Sequence, residues 1–290
     1  MKKNATQPKK NKLKVLIEIL LFLICCVVFI YIRSGTFFYP WNDLSSYQQL
    51  KNLDNFEEVN ITNNDTTLNG WMYYYNNSKT EKAPLIVYFA GNAENSSNTM
   101  ADFLVQWVFK KFEGFNFLMI DYPWFWYSEG VPSKKSIFNA TDTIYERISK
   151  QPNIDENNIF IMGYSFWTKV AIHYASKHNI KGLILIAPDE IAPLNGTNHH
   201  LYKKTLNIFY APMKWFSKNK LKLRLNIKDI EIKTLIITSY KDKVIKYILQ
   251  ESNNSQKYGI ILNKNIEHSE YFYQNEILDA IKDYLSRVSK

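Results

Sequence analysis

The sequence predicts an α/β chain: a doubly wound, mostly parallel sheet with a small lid insertion, preceded by an N-terminal transmembrane helix. Three observations predict it. Short continuous apolar runs alternate with stretches of helical period, the pattern of a parallel sheet covered on both faces. Hydrophobic residues make up 46% and aromatics 16% of the 290 residues, enough for a sizeable core and too much for a disordered polymer. Residues 15–32, VLIEILLFLICCVVFIYI, are apolar except for Glu18. With Leu13 and Lys14 alongside, and ~1.5 Å of rise per residue, this run can cross a ~30 Å hydrocarbon core.

The N-terminal region divides into a basic tail (1–12), an anchor (13–33) and a linker (34–55). Of the 36 Lys and Arg, seven lie in residues 1–40, against one acid, Glu18. Six lysines precede the apolar run and Arg33 follows it. The positive-inside rule therefore puts the N-terminus in the cytoplasm and the body on the extracytoplasmic side of a single-pass membrane protein. Glu18 sits about a turn from the cytoplasmic end, where snorkelling lowers its cost. A cleaved signal peptide shares the basic start, but the run is long for one and no small-residue cleavage site follows. Ile24 is not the small residue a lipoprotein box needs before cysteine. Cys25 and Cys26 read as small apolar residues of a helix. As the only two cysteines, they exclude a disulfide-stapled scaffold and a Cys-based zinc site in the body. Beyond residue 40 there remain 29 bases and 26 acids. That balance gives no reason to expect nucleic acid as a partner.

The body (56–290) opens with strands near 56–61 and 67–75. Pro84–Ala90 (PLIVYFA) is a strand buried on both faces. Asn95–Phe112 has helical spacing, with Phe103, Leu104, Trp107 and Val108 on one side. Phe115–Asp121 is a strand and Lys134–Gln151 an amphipathic helix. Asn158–Tyr164 (NIFIMGY) is a strand, Phe166–Lys177 a helix and Ile180–Ala187 a strand. Residues 190–230 break the rhythm and read as a basic, aromatic insertion over the sheet edge. Strands follow at Lys233–Ser239 and Tyr258–Asn263. A closing helix, Glu270–Ser289, carries Phe272, Ile277, Ile281 and Leu285 as its stripe.

The strongest chemical signal is Gly163-Tyr164-Ser165-Phe166-Trp167 between a buried strand and a helix. A nucleophilic serine needs a sharp strand-to-helix turn that lifts its Oγ clear of the sheet and aims backbone N–H groups at an oxyanion. An acid and then a histidine should follow. Asp242 follows the strand ending TLIITSY, and His268 follows the last strand. Ligand sites of open α/β sheets gather at that strand-end edge.

On these residues the chain resembles the α/β-hydrolase superfamily over roughly residues 55–288, above all its compact, membrane-anchored serine hydrolases (serine aminopeptidase or lipase-like). That branch has a loop like His-Gly-Asn-Ala-(Gly/Glu)-Asn where this chain has Ala90-Gly91-Asn92-Ala93-Glu94-Asn95. It has Asp-Tyr-x-Gly-(Tyr/Phe)-Gly-x-Ser-x-Gly where this chain has Asp121 to Gly130, and an acid in Asp-x-x-Val. The resemblance implies Ser165 as nucleophile, His268 as general base and then acid, and Asp242 as the orienting carboxylate. It implies backbone N–H groups of Phe166 and Asn92 as the oxyanion hole, and no cofactor or metal. No clustered metal-ligand motif or phosphate-binding glycine loop speaks for one either.

Bland readings compete. Asp189, after an earlier strand, is a rival acid. His173 and His178 read as surface or packing residues, and His199 and His200 as solvated loop. Ser128 mimics the elbow, but Gly-Val-Pro follows it instead of a helix. Three departures stand together: Trp124, Trp126 and Trp167 occupy glycine positions of the resemblance, where glycine serves positive φ or close approach. A large side chain two residues after the serine is expected to strike the neighbouring strand. Glycine is also scarce, at 9 residues, where average usage of about 7% would give roughly twice that. These positions are therefore expected to be UGA codons read as glycine, with Trp71 genuine. If the tryptophans are genuine, the alternative is a catalytically inactive membrane-tethered binding domain. The substrate would be a small-molecule or lipid-like acyl compound. Tyr202, Phe209, Tyr210, Trp215 and Phe216 of the insertion, set among lysines, suit an acyl chain or anionic headgroups. Ester, thioester and amide all stay open, as does oligomeric state.

Overall fold

The computed structural model describes residues 14–26, 44–63, 66–77, 79–91, 94–123, 125–130, 133–188, 231–239, 258–263 and 266–290. Contacts divide the chain into two units, Met1–Phe38 with His199–Asn219, and Tyr39–Asn198 with Lys220–Lys290. Within the first unit, residues 14–26 form helix α1. Val15, Leu16, Ile17, Ile19, Leu20, Leu21, Phe22, Leu23 and Ile24 are all exposed along it. Among the described residues, no helix is long and apolar enough to cross a membrane. The predicted span of 15–32 is thus met by helix only as far as residue 26, and its remainder lies outside the described residues, as does the 190–230 insertion.

The second unit is built on one eight-stranded sheet, in the order β1-β2-β4-β3-β5-β6-β7-β8. The strands are β1 (Phe56–Asn63), β2 (Thr66–Tyr73), β3 (Ala83–Phe89), β4 (Asn116–Ile120), β5 (Ile154–Tyr164), β6 (Gly182–Ile186), β7 (Thr234–Ser239) and β8 (Tyr258–Asn263). β2 runs antiparallel to both its neighbours. From β4 to β8 every pair is parallel. The sheet is thus mostly parallel, as the continuous apolar runs require: all five residues of β4 and of β6 are buried.

Helices cover both faces. On one side lie α2 (Leu44–Lys51), α3 (Ser96–Val105), α4 (Val108–Lys111) and α7 (Asn275–Ser289), linked to one another and to β2, β4, β6 and β7. On the other lie α5 (Lys134–Ile148) and α6 (Thr168–Lys177), with α6 on β3, β5 and β6. Strand alternation sorts the side chains. Ile86 and Tyr88 join Phe103, Phe109, Phe117 and Phe272 in the core under α3, α4 and α7. Phe89, one position on, meets Tyr174 of α6. The single helix read over Asn95–Phe112 is two, because Trp107 adopts a left-handed backbone with φ 62° between α3 and α4.

Candidate active site

β5 delivers the serine. Its buried run Ile159–Tyr164 ends with Tyr164 still extended (φ −119°, ψ 137°), and Ser165 then turns into the left-handed region at φ 57°. The 3₁₀ turn Ser165–Trp167 leads directly into α6. A serine at positive φ is uncommon and carries backbone strain of about 1–3 kcal/mol. Two features hold it there. The Thr168 hydroxyl donates to the Ser165 carbonyl (2.7 Å). Gly163 lets α6 lie close on β5: a Cβ at this position would stand 2.6 Å from the Ala171 Cβ and 2.9 Å from the Thr168 Cα.

His268 arrives from the loop after β8, across the C-terminal edge of the parallel strands. Its Nε2 is 2.7 Å from the Ser165 Oγ. The neighbouring Tyr164 contributes twice: its ring faces the imidazole (centroids 5.7 Å apart, 20° between planes) and its hydroxyl donates to the His268 carbonyl. Tyr271 and Phe272 brace Tyr164 edge-on. Phe166, whose N–H is the expected oxyanion donor, directly follows the serine; its side chain is buried, with the Lys169 ammonium 4.9 Å from its ring centroid.

The loop after β3 brings a carboxylate to the same edge. Glu94 Oε2 accepts from the Gly91 N–H (2.8 Å) and from the Tyr88 hydroxyl (3.2 Å). Burial raises the Glu94 pKa, while those two hydrogen bonds and the charge of His268 oppose the rise. Asp121 directly follows β4 and holds the start of α3: the Ser96 N–H and hydroxyl both donate to its carboxylate (2.7 and 2.6 Å). Burial pushes Asp121 up to about 7 despite these donors. In the sequence both carboxylates are only motif positions of the resemblance; their partners, Gly91, Tyr88 and Ser96, are brought in by the fold. Tyr164 has one sequence signal, its place before the serine.

Of the other residues read from the sequence, Ser128 is spent on structure. Its hydroxyl accepts from the Asn69 N–H (2.8 Å) and donates to the Asp121 carbonyl (2.9 Å). His173 stacks on Phe138 (3.5 Å) and burial lowers it to about 4. His178 pairs with Asp142 (2.9 Å) and stacks on Tyr145. Trp167 is fully buried, stacked on Tyr122 at 3.7 Å and edge-on to Phe125 and Phe166. The expected collision with the strand is therefore absent: the indole lies flat against the loop after β4. Asp242, Asn92, Trp124, Asp189, His199 and His200 lie outside the described residues. Among the described residues no group of three or more His, Cys, Asp or Glu is placed to hold a metal ion.

No family model matches the chain. The uncharacterized protein YfhR of Salmonella typhi is 24% identical over 161 residues, which are 55% of this chain and 52% of YfhR, so the match spans about half the length of that relative. Solved structures match far more of the chain. An α/β hydrolase from Vibrio vulnificus superposes with a TM-score of 0.60 at 15% identity, covering 87% of both chains. The fold is that of the α/β hydrolases. The Pyrococcus furiosus esterase Pf2001 matches with a TM-score of 0.62 at 16% identity, covering 86% of this chain and 94% of the esterase. A fungal esterase from Rhizomucor miehei gives 0.60 at 16% identity, with 89% of each chain covered. Within this α/β-hydrolase fold, the hydrogen-bonded Ser165 and His268 sit at the C-terminal ends of the parallel strands.

Proposed function

We propose that the chain is a membrane-anchored serine hydrolase that cleaves an ester, thioester or amide through an acyl-enzyme. The observation that carries this reading is the 2.7 Å approach of His268 Nε2 to the Oγ of a serine held at φ 57°. Serines at positive φ in a strand-to-helix turn are rare, and the strain has a use when it exposes a nucleophile to its base. His268 takes the Ser165 proton as Oγ attacks the carbonyl carbon. The oxyanion is stabilised by the N–H groups of Phe166 and Asn92. The imidazolium then gives its proton to the leaving group, and water repeats the sequence to release the acid. Asp242 orients the imidazole. Tyr164 and Glu94 position the histidine loop and the Gly91 loop.

Anchoring rests on the N-terminal segment. An α-helix exposing apolar residues on all sides is stable in lipid and costly in water, and the lysines before it favour the cytoplasmic surface. Esterase names among structures of the same fold support the reaction class, and the substrate proposed is a small or lipid-like acyl compound. The test is hydrolysis of p-nitrophenyl esters of graded chain length by the full-length chain in detergent. Ser165→Ala is expected to reduce kcat by at least ~10³-fold with unchanged folding. A folded wild-type chain with no turnover on esters, thioesters or amides would support the inactive binding domain instead.

A further inference from the structure

Two tryptophans occupy backbone conformations made for glycine. Six described residues other than glycine have positive φ: Asn76, Asn77, Trp107, Trp126, Ser165 and Ala187. Asparagine tolerates this region and Ser165 occupies the elbow, but for a bulky residue it is a genuine outlier. Tryptophan nevertheless supplies two of the six, from four tryptophans among the described residues.

Each site has its own local reason to want glycine. Trp107 follows the C-cap Gln106 of α3, and its N–H bonds back to the Leu104 carbonyl (3.3 Å). With φ 62° it is the left-handed residue that ends a helix, the place where glycine is strongly enriched. The residue is 65% exposed, with the Lys110 ammonium 5.1 Å from its ring centroid. Trp126, at φ 48°, is the second residue of a turn closed by the Ser128 N–H to the Phe125 carbonyl (2.8 Å). Positive φ there belongs to the mirror-image turns that Gly, Asn and Asp dominate. Its indole N–H is also buried without a hydrogen-bond partner among the described residues, which buried tryptophans ordinarily find. Trp71 is the contrast: fully buried, its N–H donates to the Ser97 hydroxyl (2.9 Å) and its ring meets Tyr47 edge-on.

We propose that residues 107 and 126 are glycine in the protein its cell makes, encoded by UGA and read there as glycine, while Trp71 is tryptophan encoded by UGG. The inference stands on backbone geometry and does not depend on the hydrolase reading. One codon assignment applies throughout a gene, so a UGA codon at 124 or 167 would be read as glycine as well.

The test is peptide mass spectrometry of the full-length protein purified from its native cell, beside the codons of its gene. Expected are UGA codons with glycine-mass peptides at 107 and 126, and UGG with tryptophan at 71. Tryptophan in either native peptide, or UGG at either position, overturns the proposal. A second measurement addresses strain in the chain as written, produced recombinantly. Trp107→Gly and Trp126→Gly are each expected to raise the Tm by about 2–4 °C, whereas Trp71→Gly lowers it. A fall in Tm for both of the first two variants contradicts the strain argument. Labelling of Ser165 by a fluorophosphonate reads the hydrolase assignment separately, so the two can fail independently.

Discussion

At the scale of single residues, the site depends on backbone conformations that few side chains accept. Gly163 adds a close approach of helix to strand. An added methyl would overlap the Thr168 backbone at 2.9 Å and the Ala171 Cβ at 2.6 Å, and backbone moves less readily than a side-chain tip. Gly163→Ala is expected to cost about 1–3 kcal/mol in urea unfolding and to lower kcat far more than it raises KM, because the shift falls on the turn that aims Ser165. An unchanged kcat in the alanine variant would mean the turn is not fixed by this contact. The pairing of Ser165 with His268 was legible in the sequence because each follows a strand end in the expected order. The hydrogen-bonding roles of Glu94, Asp121 and Tyr164 were not: the motifs that hold them name no partner, and Asp121 lies 25 residues from the serine it binds. The stacking of the Trp167 indole was equally unmarked, since the flat face of Tyr122 that receives it comes from a distant loop.

At the scale of elements, buried strands were readable and helix ends were not. β3, β4 and β6 are continuous apolar runs, so composition alone marks them. The first residues of β5, Ile154–Asn157, are largely polar and gave no strand signal. The break between α3 and α4 was invisible because the apolar stripe continues through it; only the φ of Trp107 ends the first helix. The junction of β4 with α3 makes a pH prediction. Burial raises Asp121 from 3.8 to about 7, so between these values the folded chain holds a proton that the unfolded chain has lost. Stability contributed here is present below about pH 4 and is lost as pH rises to about 7. Between pH 5 and 8 the wild type is expected to lose on the order of 1–3 kcal/mol from this group. Asp121→Asn should flatten that slope, keeping an acceptor for the Ser96 N–H. Equal slopes in the two proteins, by urea unfolding at both pH values, would contradict the assignment of the effect to Asp121.

At the scale of the whole molecule, alternation of strand and helix announced a parallel sheet with two covered faces. Its strand order and the reversed β2 came only from the structure, because pairing between sequence-distant strands leaves no local pattern. The exposed apolar side chains of α1 predict that the full-length chain stays with lipid vesicles through an alkaline carbonate wash. Recovery of the folded chain in the aqueous phase without detergent would show that α1 is not an anchor. The central claim is that Ser165 is a nucleophile activated by His268. It is tested most directly by treating the full-length protein with a fluorophosphonate and mapping the adduct by mass spectrometry. One adduct is expected, on Ser165, lost in Ser165→Ala and strongly slowed in His268→Ala. A folded protein that takes up no label, or that is labelled equally well in both variants, would contradict it.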